Sequence, residues 1–168
     1  MYAQSMQPTE YEKLKDKIKG IKIAMLTTID SQGDLRSRPM ATQEMDENGT
    51  LWFFTSDDSH KVEELQRNNK VQISYSDEDA VTYVSVSGIA ELTKDSQKIN
   101  ELWSDAFRAW FPGGKDDPRL ALLKITPYKA EYWDSPGGKM QTLFEMIKGV
   151  FTGESDKSSQ HEKLGRDS

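Results

Sequence analysis

The chain has 168 residues, enough for one domain with a sizeable core, and its lack of cysteine excludes disulfides and thiolate metal sites. Its 28 acidic residues outnumber its 22 basic residues and give a formal net charge of -6, which argues against general nucleic-acid binding. The two histidines, His60 and His161, are far apart in the sequence, which argues against a metal site. No run of eighteen apolar residues and no apolar leader is visible, so we expect no membrane span and a cytoplasmic location.

The first half of the chain predicts a helix, three strands and the start of a second helix. Residues 8–20 carry apolar side chains at helical spacing, with Thr9 and Glu12 spaced as a capping box, and residues 1–7 are expected to be a flexible lead. Strands are predicted at residues 21–29, 35–45 and 51–55. Between the last two, Asn48-Gly49 is typical of a type I′ turn, in which both central residues have positive φ.

The second half predicts three more strands, at residues 71–76, 81–92 and 120–133. Gly88 indicates a bulge or a close backbone approach, and Pro127 indicates an edge strand or a bent strand. A helix capped by Thr93 or Asp95 is expected to end near Trp110. Six strands with helices between hairpins favour an α+β fold with a small antiparallel barrel.

The end of the chain separates into an amphipathic stretch and a polar tail. Residues 140–150 are amphipathic enough to predict a last helix. Residues 152–168 consist largely of polar and charged side chains, so we expect a disordered tail. The domain is therefore predicted to cover residues 8–151.

A candidate anion site follows from two arginines and a helix start. Arg36 and Arg38 occupy alternate positions of a strand and so leave the same face of the sheet. Ser59 is a plausible N-cap, with Lys61 in the first helical turn. Arginines beside hydroxyl groups and a helix N-terminus suit a phosphate. The alternative is a solvated arginine face, an ordinary serine cap and a surface lysine.

Several motifs resemble one known family in their order and spacing. They are SRPM at residues 37–40, FFTSDDSHK at residues 53–61, WFPGG at residues 110–114 and EYWDSP at residues 131–136. Together they resemble the FMN-binding split-barrel superfamily, and within it the general stress protein branch related to pyridoxamine 5′-phosphate oxidase. The resemblance covers about residues 11–151, and it implies a six-stranded split β-barrel with peripheral helices.

The resemblance also implies FMN at a homodimer interface, with FAD as a possible replacement. The phosphate would lie against Arg38, Ser59 and Lys61, with His60 where relatives often have a second basic residue. Two further groups are implied on the same subunit: Pro39, Met40, Ala41 and Thr42 beside the isoalloxazine ring, and Phe54, Thr55 and Ser56 beside the ribityl chain and phosphate. The other subunit would close the site with Trp110, Phe111 and Trp133. On residue type alone, a role in the core or in a dimer interface is the alternative for each tryptophan.

One departure from the family pattern bears on activity. Pyridoxamine phosphate oxidases carry an Arg-x-His-x-Arg-type segment that grips substrate, whereas residues 134–140 here contain neither histidine nor arginine. The resemblance therefore implies a flavin site without vitamin B6 oxidase activity, and it assigns no catalytic residue. Three functions remain open: an oxidoreductase that binds NAD(P)H transiently and passes electrons to a small acceptor, a non-catalytic module that stores or senses flavin, and a flavin-free dimeric barrel for another anion.

Overall fold

The computed structural model describes residues 6–134 and 160–164, which form an antiparallel barrel with peripheral helices. The strands are β1 (Ile23–Ile29), β2 (Leu35–Met45), β3 (Leu51–Ser56), β4 (Lys70–Asp77), β5 (Thr82–Thr93), β6 (Leu120–Asp134) and β7 (Gln160–Leu164). The helices are α1 (Pro8–Ile18), α2 (His60–Arg67) and α3 (Ser96–Leu102), with 3-10 turns at Asp105–Ala109 and Gly114–Asp116. No helix within the described ranges is long and apolar enough to cross a bilayer.

Six strands close the barrel, and the seventh adds to its outside. The strands are hydrogen-bonded in the order β3-β2-β1-β4-β5-β6, and β3 also pairs with β6, so the sheet closes on itself. All these pairings are antiparallel. The predicted α+β fold with a six-stranded antiparallel barrel is confirmed.

Two hydrophobic clusters lie on opposite faces of β3. Phe53 points into the barrel, where it packs in the same cluster as Leu26, Ile73 and Ile125. Outside the barrel, a second cluster contains Trp52, Phe54, Ile99, Phe111, Leu120 and Leu122. Because burial of one large apolar side chain stabilises a fold by roughly 1.5–3 kcal/mol, this second cluster fixes α3 and the following turns against β3.

The turn between β2 and β3 differs from the prediction. Of Asn48 and Gly49, only Gly49 has a positive φ, at 80°, so the predicted type I′ turn is wrong. The Asp46 carboxylate instead accepts hydrogen bonds from the backbone N–H groups of Asn48 and Thr50, both at 2.9 Å. This Asp-centred turn needs positive φ at Gly49 alone.

Helix α1 begins at Pro8, as the sequence indicated, but its cap differs from the prediction. Gln7 is its N-cap, and the Gln7 backbone N–H donates to Glu10 at 2.6 Å, so the predicted capping box of Thr9 and Glu12 is wrong. Pro8 occupies the first turn, where its fixed φ favours a helix start. Met6 is buried in the barrel core, so the predicted flexible lead is wrong for Met6 and Gln7.

Helix α3 is shorter than predicted. Asp95 caps it by accepting from the backbone N–H groups of Gln97 at 3.0 Å and Lys98 at 3.2 Å. The helix ends at Leu102 instead of continuing toward Trp110, and Ser104 then caps a separate 3-10 turn. Serine and aspartate side chains compete for backbone groups, which explains a new cap in the middle of an apolar pattern.

Strand β6 runs without interruption through Pro127 and is paired on both sides, so the edge strand, one of the two predicted alternatives, is wrong. The other alternative, a bent strand, agrees with the bulge that Tyr128 makes in β6 next to Pro127. Residues 120–125 pair with β3, and residues 130–134 pair with β7. Pro127 lies where β6 changes partner on that side, so its missing N–H breaks neither pairing.

Gly88 confirms both features that the sequence indicated for it. The pairing of β5 with β6 shifts register between Ser87 and Gly88, which is a bulge. The backbones also approach closely, since a Cβ atom on Gly88 would lie 3.1 Å from the backbone carbonyl oxygen of Thr126.

The chain beyond β6 returns to the sheet as β7. The prediction of a disordered tail is wrong for residues 160–164, which pair with residues 130–134 of β6. The predicted helix at residues 140–150 and the remainder of the tail lie outside the described residues.

Candidate anion-binding site

Four elements meet at one end of the barrel and bring polar side chains together. Because side chains alternate along a strand, Thr28 of β1 and Arg38 of β2 point inward. Helix α2 packs against β1 and covers this end of the barrel. Thr55 lies near the end of β3, and the chain then turns into α2. These positions place two cations, several hydroxyl groups and a helix start in one region.

Arg38 is held by a buried network. One of its terminal nitrogens donates to the Glu64 carboxylate at 2.8 Å, and the other donates to the Thr28 hydroxyl. The Thr28 hydroxyl in turn donates to Glu64. Thr28 is 1% exposed and Glu64 is 6% exposed. Thr28 and Glu64 therefore orient the Arg38 guanidinium while leaving some of its five N–H groups for a ligand.

Opposing influences act on the Glu64 carboxyl. Burial on its own raises the pKa of Glu64, but hydrogen bonds from Thr28 and Arg38 and the charges of Arg38 and Arg36 outweigh burial and hold that pKa below its usual range. The carboxyl is therefore ionised at neutral pH, where it compensates part of the positive charge around it.

Lys61 supplies the second cation. Its ammonium group donates to the Thr55 hydroxyl at 2.8 Å and to the Ser59 hydroxyl at 3.2 Å. Burial lowers the pKa of Lys61, the Arg38 charge lowers it further, and Glu64 opposes both. An ammonium group has three donors, so one remains for a ligand when two are engaged.

Ser59 is the N-cap of α2, as predicted, but its side chain makes no capping hydrogen bond. The hydroxyl accepts from Lys61 instead, which leaves the Ser59 O–H free to donate. Two cations against one buried carboxylate, a hydroxyl donor and a helix N-terminus make a site suited to an anion such as phosphate.

The stretch of β2 after Arg38 alternates between the core and the surface. Met40 is buried in the barrel, and the Thr42 hydroxyl lies 3.0 Å from the hydroxyl of buried Tyr75. Pro39 and Ala41 are exposed on the outer face. A flat ring beside this strand would meet the side chains of Pro39 and Ala41, not those of Met40 and Thr42.

Phe54 and Ser56, two more predicted residues, have partners other than Arg38 and Lys61. Phe54 packs in the second hydrophobic cluster, with ring centroids 4.8 Å from Phe107 and 5.9 Å from Trp103. The Ser56 hydroxyl donates to Asp58. Within one subunit, Phe54 therefore has a packing role.

Apart from His60, which precedes Lys61 in α2, the remaining predicted residues lie outside β2, β3 and α2. Phe111 is buried in the second cluster, whereas Trp110 is exposed beside it. Trp133 lies near the C-terminal end of β6. Ser56 pairs with Leu120, which is at the opposite end of that strand. His60 is exposed and lines a neighbouring polar pocket. A role for these aromatics across a subunit interface stays a prediction.

Sequence reasoning missed Thr28 and Glu64. Thr28 continues the inward series of Ala24 and Leu26 on β1, so a polar residue at that position was a detectable signal. Glu64 lies beside Leu65 on the buried face of an otherwise polar helix and is also detectable, since a buried carboxylate requires a partner.

The outer face of β1 and β2 carries a stripe of exposed apolar side chains. Ile23 is 56% exposed, Met25 is 41% exposed and Leu35 is 74% exposed. Pro39 is opposite Met25, and Ala41 is opposite Ile23. This β1–β2 stripe adjoins Arg38 on β2.

The fold and the site together define a closed six-stranded antiparallel barrel with a cationic, hydroxyl-lined site at one end. The chain belongs to the pyridoxamine 5′-phosphate oxidase-like family, whose model matches residues 9–157.

Named relatives span most of the chain. Protein bli-3 of Neurospora crassa is 30% identical over 142 residues, which cover 79% of this chain and 68% of that protein. General stress protein 26 of Bacillus subtilis is 33% identical over 119 residues, which cover 69% of this chain and 82% of that protein. The crystal structure of the general stress FMN/FAD binding protein from Xanthomonas citri matches with a TM-score of 0.67 at 30% identity, over 80% of this chain and 94% of that chain.

Proposed function

We propose that this chain is an FMN-binding, stress-related protein that holds the flavin phosphate with Arg38, Ser59 and Lys61. The observation that carries the proposal is the convergence of the Arg38 guanidinium, the Lys61 ammonium and two hydroxyl groups at the start of α2. Phosphate recognition requires such charge-assisted donors. The Xanthomonas citri relative, described as an FMN/FAD binding protein, supports a flavin as the phosphate-bearing ligand.

The residues beyond the phosphate site suit the rest of a flavin. The exposed side chains of Pro39 and Ala41 offer a flat apolar surface to the isoalloxazine ring. Bound flavin would supply the capacity to accept and release electrons. Arg36 adds positive charge close to the phosphate site.

We also propose that the site is completed in a homodimer. The β1–β2 stripe presents apolar side chains beside Arg38, and a second copy of the chain would bury them. The partner would then supply Trp110, Phe111 and Trp133 as aromatic walls, with exposed Trp110 the most accessible of the three.

The activity that we infer is electron transfer from transiently bound NAD(P)H to a small acceptor, not oxidation of pyridoxamine phosphate. The lack of histidine and arginine in residues 134–140 opposes the oxidase activity. The same observation favours a second candidate, a flavin-binding module without turnover. Steady-state oxidation of NAD(P)H separates them: turnover well above that of free FMN supports the enzyme, and a rate equal to free FMN supports the module.

The direct test of flavin binding uses freshly purified protein. We expect a yellow protein whose heat-released small molecule has the mass of FMN. A colourless protein that also takes up no added FMN or FAD would contradict the proposal and leave only the barrel fold.

A further inference from the structure

A second polar pocket adjoins the anion site on the far side of Glu64. Its volume is about 280 Å³, and it lies between α2 and the turn that joins β1 to β2. Its charged lining residues are Asp30, Arg36, His60, Glu63, Glu64 and Arg67. We call it the Arg36–Arg67 pocket.

The acidic side chains of the pocket are mostly engaged elsewhere. The Asp30 carboxylate accepts from the backbone N–H groups of Gln32 at 2.9 Å and Asp34 at 3.0 Å. Glu64 is bound by Arg38 and Thr28. This leaves Glu63 as the one carboxylate of the pocket without a hydrogen bond or an ion pair among the described residues.

The basic side chains of the pocket are available. Arg36, Arg67 and His60 are all exposed, and none of them forms an ion pair or a hydrogen bond within residues 6–134 and 160–164. The two guanidinium groups face three carboxylates, of which Asp30 is hydrogen-bonded to backbone N–H groups and Glu64 to Arg38 and Thr28. The pocket therefore offers unengaged guanidinium donors to an anion without carrying a net positive charge. Guanidinium groups prefer planar, bidentate recognition of phosphate or carboxylate.

Strand β2 places this pocket in line with the proposed flavin site. Arg36, at the start of β2, lines the pocket, Arg38 follows at the first phosphate site, and the proposed ring position lies beside residues 39–42. Arg36 and Arg38 are two residues apart on one face, which separates their Cα atoms by about 7 Å. A ligand whose first phosphate lies at Arg38 would therefore place a linked second phosphate within reach of Arg36.

We propose that the Arg36–Arg67 pocket is a second anion subsite, which binds the adenylate phosphate of a dinucleotide flavin, FAD, when the first phosphate occupies the Arg38 site. This inference rests on the proposed flavin function and names the part of the ligand that distinguishes FAD from FMN. Arg36 and Arg67 contact the second phosphate, and Glu63 opposes its binding by charge repulsion.

The test compares FAD and FMN binding to the full chain by titration of flavin fluorescence. We expect the Arg36→Ala/Arg67→Ala variant to lose about tenfold or more in FAD affinity, the scale of one charge-assisted contact. The loss in FMN affinity should be clearly smaller, about two- to threefold, because Arg36 acts on the first phosphate only through its charge. Glu63→Gln should act in the opposite direction and strengthen FAD binding by about two- to fivefold. Arg108→Ala is the matched control, because Arg108 is an exposed arginine that pairs with Asp105 outside the pocket.

The outcomes separate this inference from the proposed function. Selective loss of FAD affinity in the double variant, together with a gain in Glu63→Gln, supports the subsite. FMN binding without FAD binding by the unaltered chain, or equal losses for both flavins in the double variant, overturns the subsite while the flavin function stands. If the unaltered chain binds neither flavin, the proposed function itself fails.

Discussion

At the scale of single residues, Glu64 links the anion site to the stability of the barrel. It is the buried acceptor of both Arg38 and Thr28, and its charge compensates the cations around it. Removal of one partner from a buried pair costs about 3–5 kcal/mol, because the other charge remains without compensation. Substitutions at this site must therefore separate a loss of binding from a loss of folding.

The Glu64 carboxyl predicts a specific dependence of stability on pH. Because hydrogen bonds and positive charges hold its folded-state pKa below the ordinary value of 4.5, the ionised group stabilises the fold above that value. This contribution is lost as the pH falls through the lower, folded-state pKa. Between about pH 7 and about pH 3, the free energy of unfolding should decrease less in Glu64→Gln than in the unaltered chain.

Urea denaturation at a series of pH values measures this difference. Glu63→Gln is the matched control, because Glu63 is the exposed neighbour on the same helix and should retain the original pH dependence. Parallel curves for Glu64→Gln and the unaltered chain would show that Glu64 makes no such contribution.

The contact between Arg38 and the flavin phosphate should contribute measurably to FMN affinity. Arg38→Ala should weaken FMN binding by about 1.5–3 kcal/mol, the scale of a hydrogen bond to a charged group. Riboflavin, which has no phosphate, should bind this variant and the unaltered chain equally. Isothermal titration measures both ligands.

Two further variants test whether a loss of FMN affinity in Arg38→Ala comes from binding or from misfolding. Arg38→Ala/Glu64→Gln relieves the unpaired carboxylate, so its loss of FMN affinity reports binding and not misfolding. Arg108→Ala should bind FMN normally. An unchanged FMN dissociation constant in both Arg38 variants would remove Arg38 from the site.

At the scale of elements, the close approach of β5 to β6 at Gly88, opposite the bulge in β6, predicts a local limit on side-chain size. A Cβ atom at Gly88 would lie 2.7 Å from Cγ2 of Ile125 and 3.1 Å from the carbonyl oxygen of Thr126. Gly88→Ala should therefore lower the free energy of unfolding by about 1–3 kcal/mol, as overpacking does in other cores.

Chemical denaturation of Gly88→Ala checks the expected loss. Ser87→Ala, at the neighbouring position of β5, is the control and should change the free energy by less than about 0.5 kcal/mol. Equal free energies of unfolding for Gly88→Ala and the unaltered chain would show that β5 and β6 can move apart without loss of stability.

Much of the barrel was predictable from sequence because strand alternation and apolar periodicity are local signals. The bounds of β2 agree with the prediction, and Gly88 marks the bulge. The errors concern features that depend on partners distant in sequence. Pro127 lies inside β6 and not at an edge because β6 exchanges β3 for β7 there, and no local pattern specifies that exchange.

The candidate site was predictable to a similar degree. Ser59 and Lys61 were recognisable because both lie at a predicted helix start, and Arg38 because it alternates with Arg36 on a predicted strand. Thr28 and Glu64 become partners of Arg38 only when β1, β2 and α2 meet. The network that orients the arginine is therefore a property of tertiary structure.

At the scale of the whole molecule, the β1–β2 stripe predicts the oligomeric state. Met25→Glu places a charge in the centre of the stripe, and we expect it to convert the proposed dimer into a monomer, because burial of an unpaired charge opposes association. Sedimentation velocity measures the state directly.

The control for that measurement lies outside the stripe. Leu92 is an exposed apolar residue on β5, so Leu92→Glu should remain dimeric. A dimeric Met25→Glu variant would exclude the stripe as the interface, and a monomeric unaltered chain would exclude the dimer.

Strand β7 affects the solubility of the molecule. The barrel closes without β7, yet residues 130–134 of β6 would then present unpaired backbone groups beside Tyr132 and Trp133. Such an edge is a template for intermolecular strand addition and aggregation. The short, mostly polar β7 covers it, and Glu162 of β7 is fixed by Tyr132 at 2.5 Å and Lys13 at 2.8 Å.

A chain shortened to residues 1–134 should consequently retain the closed barrel but form oligomers of increasing size at high concentration, which light scattering would record. Addition of a peptide with the sequence of residues 158–168 should suppress that growth. Strand β7 thus prevents self-association through the sheet edge at residues 130–134.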